Sequence, residues 1–141
     1  MLSDLELILK SNLDNLNPLL VTIDDLLEDN RISTKSKLQL ELIIEELFVN
    51  ICNYAYENEG KIKIQYGLFE NPLRIIMNFI DEGVEFNPLN KESPDLTLDV
   101  DQREIGGLGL TIVRKNVDKI DYKYENNQNI LTIEKIFEFI E

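Results

Sequence analysis

The sequence predicts an α+β fold, a two-layer sandwich with helices on one face of a mostly antiparallel, mixed sheet. Three observations predict it. Residues 33 to 56 carry apolar side chains at the 3.6-residue period of a helix. Two pairs of segments, 61–69 with 73–81 and 119–125 with 129–137, read as hairpins joined by short turn-forming stretches. The order along the chain is strand, helix, helix, hairpin, loop, helix, hairpin, which places helices against an antiparallel sheet rather than between parallel strands.

The first strand is "LELILK", whose alternation puts Leu5, Leu7 and Leu9 on one side. In "NPLLVTIDDLLEDN", Asn17 is expected as the N-cap and Pro18 as the first helical residue, since proline lacks the N–H that a first turn cannot satisfy. Ser33 or Thr34 opens the second helix, which carries Leu40, Ile43, Ile44, Leu47, Phe48, Ile51 and Ala55 on its apolar face. Asn58 to Gly60 ends it. "KIKIQYGLF" alternates, "LRIIMNFID" is more continuously apolar, and "ENP" supplies the turn. Residues 82 to 105 then hold Pro88, Pro94 and many acids with little periodicity. A stretch of that length in a compact domain is usually a lid, a binding segment or disordered. "LGLTIVRKNV" is the third helix, and "KIDYKYE" and "NILTIEKIF" form the last hairpin around "NNQN".

At 141 residues the chain is expected to form one domain, 1–141, with a real hydrophobic core. Its 27 acidic against 14 basic residues give a net charge of −13, which excludes the basic footprint that direct nucleic-acid binding needs. The charge reads either as a solubility surface or as complementarity to a basic protein partner. With no histidine, Ser-His-Asp triads, histidine zinc sites and a histidine phosphoacceptor in this chain are ruled out. The lone Cys52 can form no disulfide within the chain. No stretch is long and apolar enough to span a membrane, so a soluble, cytoplasmic protein is expected.

Three constellations could carry chemistry. On a helical wheel at about 100° per residue, Glu46, Asn50, Asn53 and Glu57 form a stripe on one border of the second helix's buried face, and Glu45 points away. A carboxylate and an amide one turn apart could hold a hydrated magnesium ion, or could be a solvated shoulder. In the second, "DEGVEFNP", Asp81 continues the register of Leu73, Ile75, Met77 and Phe79. A carboxylate there is costly to bury without a donor, such as the exocyclic amine of adenine, and Gly83 would allow close backbone approach. The bland reading is a strand ending in a turn. The third, "GGLGL" at residues 106 to 110, opens a helix whose N–H groups could cradle phosphate. It matches neither the Walker loop nor the Rossmann fingerprint.

Together, "EELFVNICNYAY", "DEGVEFNP" and "GGLGLTIVRKNVDKIDYKY" resemble the N box and two glycine boxes of the ATP-binding superfamily of gyrase, Hsp90, histidine kinases and MutL. Within it, the chain resembles the stand-alone anti-sigma-factor serine kinases of bacteria over nearly its whole length. The resemblance implies the Bergerat ATP-binding fold, ATP with Mg2+, and phosphorylation of a serine on a small STAS-type anti-sigma-antagonist partner, with sequestration of a sigma factor or similar regulator. By position, Glu46 corresponds to the family's catalytic acid, Asn50 to the magnesium ligand and Asp81 to the adenine-binding aspartate. Gly83, Gly107 and Gly109 match the nucleotide-loop glycines, and Arg103 is placed like a phosphate-contacting arginine. Asn53, Phe86, Gly106, Leu108 and Leu110 fall within the same nucleotide-contacting motifs. The chain departs from the pattern at Tyr54, where many members have histidine.

Two other functions fit the same residues: an ATP-gated binding module without phosphotransfer, and a detached histidine-kinase catalytic domain acting on a histidine elsewhere. The sequence leaves the oligomeric state open, a homodimer included.

Overall fold

The computed structural model describes residues 5–90 and 107–140. Five strands form one sheet in the order β1-β2-β3-β5-β4, where β1 is Leu5–Lys10, β2 Lys61–Phe69, β3 Arg74–Asp81, β4 Lys119–Glu125 and β5 Gln128–Ile136. Every neighbouring pair is antiparallel, so among the described residues the sheet is not mixed. Three helices, α1 (Leu16–Leu27), α2 (Thr34–Tyr54) and α3 (Gly107–Asn116), cover one face.

The core lies between those layers. Alternate residues of β2, β3 and β5, among them Ile62, Ile64, Ile75, Met77, Phe79 and Ile133, meet Leu40, Ile43, Ile44, Leu47 and Phe48 of α2. Leu19, Ile23 and Leu27 of α1 and Leu110 and Val113 of α3 complete it. The opposite sheet face is more polar: Gln65, Asn78 and Thr132 lie side by side on β2, β3 and β5 and are hydrogen-bonded across the strands.

Two helix boundaries and one strand boundary differ from the sequence reading, each for a local reason. A 3-10 turn, Leu13–Asn15, precedes α1 and is capped by Asn12, whose side chain accepts from the Asp14 N–H at 2.9 Å. The helix therefore starts at Leu16, and Asn17 and Pro18 lie inside its first turn, where the missing proline N–H costs nothing. In α2, Ser33 is the N-cap and accepts from Ser36 N–H. That helix ends at Tyr54 rather than Tyr56, because Ala55 and the residues after it bind the segment following β3. In the last hairpin, Asn126 and Asn127 both have positive φ, 54° and 62°. Such a pair is the two-residue turn that matches strand twist, and asparagine tolerates it. Asn129 is consequently a strand residue, paired across the sheet with Asp81.

The segment leaving β3 is pinned to the end of α2. Val84 N–H donates to the Ala55 carbonyl at 3.0 Å. Gly83 passes so close that a Cβ at this position would overlap the Ala55 carbonyl group, which is backbone and cannot swing away. The Tyr56 hydroxyl accepts from Glu82 N–H at 2.8 Å and donates to the Lys61 carbonyl at 2.7 Å, tying the same segment to the start of β2. A 3-10 turn at Pro88–Asn90 follows, and Arg114 of α3 donates to the Leu89 carbonyl. Most of the expected lid, residues 91–105, lies outside the described residues.

Because the close approach at Gly83 is to backbone, Gly83→Ala should force the loop off α2 and cost roughly 1–3 kcal/mol, the range for overpacking a fitted site. Urea unfolding of the variant checks this. A midpoint and slope equal to wild type would mean that the loop is not held at that point.

Candidate functional site

Beside α2 and over the end of β3 lies a cleft of about 470 Å³, counting its part open to solvent. Leu47, Ile51, Ala55, Phe79, Val84 and Leu131 give it apolar walls, and Asn50, Asp81, Tyr122 and Asn129 are its polar groups.

Asp81 sits there because β3 alternates. Ile75, Met77 and Phe79 face the core, and Asp81 continues that face at 5% exposure. Burial holds its carboxyl above the ordinary carboxylate range, against the opposing effect of hydrogen bonds from Asn129 and Gly83 N–H. Both bonds, each 2.9 Å, go to Oδ1. Among the described residues no donor reaches Oδ2, and the residue lines the cleft. The floor is thus an acceptor in an apolar frame, which suits a ligand that presents an N–H.

Of the polar stripe expected from the wheel on α2, Asn50 alone is among the cleft's lining residues, and Glu46 lies one turn beyond that lining. Asn50 lines the cleft one turn after Glu46, near enough for its amide to favour the ionised Glu46 carboxyl. Glu46 Oε1 is buried with no hydrogen-bond partner among the described residues. Burial, more than its neighbour Glu45, pushes the Glu46 carboxyl up, while the Asn50 amide works the other way. Glu45 itself is exposed, as the wheel requires. From Ala55 at the Asp81 end, Asn50 is about 7 Å and Glu46 about 13 Å back along the helix axis. The cleft therefore has an apolar end at Asp81 and, farther along α2, the Asn50 amide, with the unspent Glu46 oxygen one turn beyond it. A hydrated hard cation with its water ligands would suit that pair.

The other expected site residues divide. Phe86 lines the cleft, with its ring 6.3 Å from that of Tyr54. Gly83 lies beside Asp81, but its close contact is with Ala55 rather than with the cleft. Asn53 is exposed on the flank of α2, outside the cleft lining. Gly107, Leu108 and Gly109 form the first turn of α3, where N–H groups lack helical partners. None of the described residues of α3 lines the cleft. The Leu110 side chain is committed to the core at 4% exposure, so only its backbone remains for a ligand. Arg103 and Gly106 lie outside the described residues.

Asn129 and Tyr122 were not among the sequence candidates. The signal was present: Asn129 occupies an inward position two residues before Leu131 and four before Ile133, as Asp81 does after Phe79. Reading "NNQN" wholly as turn concealed it.

The chain is similar to several known proteins. Serine-protein kinase RsbW of Bacillus cereus (strain AH820) is 33% identical over 97 residues, covering 65% of this chain and 59% of the relative. RsbW of Bacillus velezensis is 30% identical over 99 residues, covering 64% and 58%. The match thus spans somewhat over half the length of these curated relatives. Among solved structures, the RsbU and RsbW domains of a Mycobacterium tuberculosis protein superpose with a TM-score of 0.65 at 12% identity, over 97% of this chain and 35% of that one. The Acinetobacter baumannii histidine kinase AdeS gives 0.52 at 17%, over 94% and 68%. At such identities the likeness is one of fold. The sequence model of the histidine kinase-like ATPase domain matches residues 9–135, and the chain belongs to that family.

Proposed function

We propose that this protein is an ATP-dependent protein serine/threonine kinase of the anti-sigma-factor type. In this reading it phosphorylates a serine on a small STAS-type antagonist and sequesters a sigma factor or similar regulator in the cytoplasm. The observation that carries the reading is the α2 stripe. An amide lining the cleft lies one turn from a carboxyl whose Oε1 is buried and unspent, with the apolar end of the cleft at Asp81 farther along the same helix. The 33% identity to kinases named RsbW supports it.

The roles follow from the chemistry. Asp81 Oδ2 accepts from the base, and Phe79, Leu131 and Ile51 exclude water around it. Asn50 is the proposed ligand of Mg2+, which offsets the phosphate charge when bound. Glu46 Oε1 is the proposed acceptor for the proton that the attacking serine hydroxyl must lose. A carboxyl raised by burial is better matched to that task near neutral pH than an ordinary one.

The direct experiment mixes the protein with labelled ATP, magnesium and a small STAS-type protein. Acid-stable phosphoserine is the expected product. ATP binding with no transfer would favour an ATP-gated binding module, and acid-labile label on a histidine-containing partner would favour a detached histidine-kinase domain.

Two further outcomes are expected. Glu46→Gln should leave ATP affinity close to wild type and slow phosphoserine formation by about 10² to 10⁴, as loss of a general base does. Asn50→Ala should weaken the magnesium-nucleotide complex itself, and Glu45→Gln should do neither. Transfer by Glu46→Gln at the wild-type rate would remove the base assignment.

Asp81→Asn should abolish ATP binding, because the amide that replaces Oδ2 turns an acceptor into a donor facing the adenine amine. It should not cost stability at neutral pH. A carboxyl raised in the fold contributes stability that is present below its unfolded pKa and lost as pH rises through its folded pKa, so above both values the ionised group opposes folding. Replacing it should leave the thermal midpoint at pH 7 equal or higher, with the advantage shrinking on acidification. A lower midpoint at pH 7 together with intact ATP binding would contradict both parts.

A further inference from the structure

Asn129 is 6% exposed and holds Asp81 from the neighbouring strand. Its amide has two hydrogens and two acceptor positions, and all four are used. Nδ2 donates to Asp81 Oδ1 and to the Val84 carbonyl, each at 2.9 Å. Oδ1 accepts from Phe86 N–H at 3.1 Å and from the Tyr122 hydroxyl. A carbonyl can only accept and a backbone N–H can only donate, so Val84 and Phe86 fix which way the amide points. With nothing left to offer a ligand, Asn129 cannot read one directly.

We propose that Asn129 is a positioning residue that sets the base selectivity of the cleft, by holding Asp81 so that a single carboxylate oxygen faces the ligand. The inference rests on the nucleotide reading of the cleft. Asp81 Oδ1 takes Gly83 N–H and Asn129 Nδ2, which spends its two lone pairs and stops rotation of the carboxylate. Oδ2 remains, framed by Phe79, Ala55, Ile51 and Leu131. A purine with a 6-amino group donates to it. A purine with a 6-oxo group sets acceptor against acceptor, and a site built for one hydrogen bond rejects the ligand that cannot make it. Removing Asn129 frees the carboxylate to turn and withdraws a donor that favours its ionised form. A protonated carboxyl can donate to the 6-oxo group, so both changes admit the wrong base.

The Val84 and Phe86 bonds add a second consequence. The same amide that orients Asp81 also fastens the segment leading towards Pro88, so base reading and loop position share one side chain.

The test is calorimetric titration of ATP and inosine triphosphate, which differ at the purine 6-position, into wild type, Asn129→Leu and Asn129→Asp with magnesium present. Wild type should prefer ATP by about a hundredfold. Both variants should lower that preference to about fivefold or less while circular dichroism remains that of the folded protein. Asn129→Asp keeps the acceptors for Phe86 and Tyr122, and Tyr122→Phe removes only one bond holding the amide. These two carry the test if the leucine variant does not fold, Tyr122→Phe with a smaller loss of preference. Folded variants that keep the full wild-type preference overturn the inference, as does a wild type that binds both nucleotides alike. A wild type that binds neither overturns the nucleotide reading beneath it.

Discussion

The described structure around the cleft depends on one burden, a carboxylate at the end of an apolar strand. Burying Asp81 beside Phe79 is costly unless its oxygens have donors. Two are supplied to Oδ1, one from Gly83 N–H two residues on and one from Asn129 across the sheet. Each donor constrains the chain around it. The bond from Gly83 requires β3 to turn at once. That turn runs the backbone against the end of α2, where only a residue without Cβ passes Ala55. The bond from Asn129 requires β5 to pair with β3 in one register, which the two-residue turn at Asn126–Asn127 sets two residues earlier. A slip of one residue would turn Asn129 to the outer face and leave Oδ1 with one donor fewer.

α2 does two jobs with different faces. Leu40, Ile43, Ile44, Leu47 and Phe48 anchor it to the sheet, each 2% exposed or less. That packing fixes the helix rotation, and rotation decides what the border residues meet. Asn50 reaches the cleft, Glu46 sits one turn beyond it half-buried, and Asn53 and Glu57 have already turned outward. The unspent oxygen of Glu46 would be a defect in a purely structural helix. Together with the ionised cost of Asp81, it places two carboxyls raised by burial in and beside one cleft, a pattern that marks functional sites.

Legibility followed the same physics. The hairpins, the long α2 and the side-chain alternation were readable because burial on one face imposes a period of 2 on strands and 3.6 on helices. The burial of Asp81 was legible because it extended an apolar alternation, and the border placement of Glu46 and Asn50 because their angular position can be computed. What failed was local competition. Asn12 nucleates a 3-10 turn that moves the start of α1 ahead of Asn17, a choice settled by side-chain capping rather than by periodicity. Asn129 was hidden because asparagine signals turns, and the turn beside it is real. Only the pairing with β3 shows that it is a strand residue facing inward. Leu110 belonged to a nucleotide motif by position, yet the apolar face of α3 takes its side chain into the core. A motif assigns a residue to a region, and packing then decides whether backbone or side chain is available.

Charge sets the remaining requirement on the proposed chemistry. A chain of net charge −13 presents a repulsive field to a nucleoside triphosphate at long range. Binding must then be won locally, within the roughly 8 Å over which physiological salt leaves interactions unscreened. The base end contributes apolar burial and one hydrogen bond to Asp81, neither of which needs positive charge. At the phosphate end, Glu46 adds another negative group, so Asn50 cannot meet polyanionic oxygens there by itself. A divalent cation is the natural mediator, because it satisfies the amide oxygen and draws phosphate towards a carboxylate that would otherwise repel it. The same arithmetic explains why an amide rather than a second carboxylate suits position 50. A carboxylate would bind the ion more tightly but would also add to the repulsion of the phosphates that the ion must hold. In the proposed reading, metal and nucleotide are therefore expected to bind as a unit, with the acidic surface discouraging stray anions from the cleft.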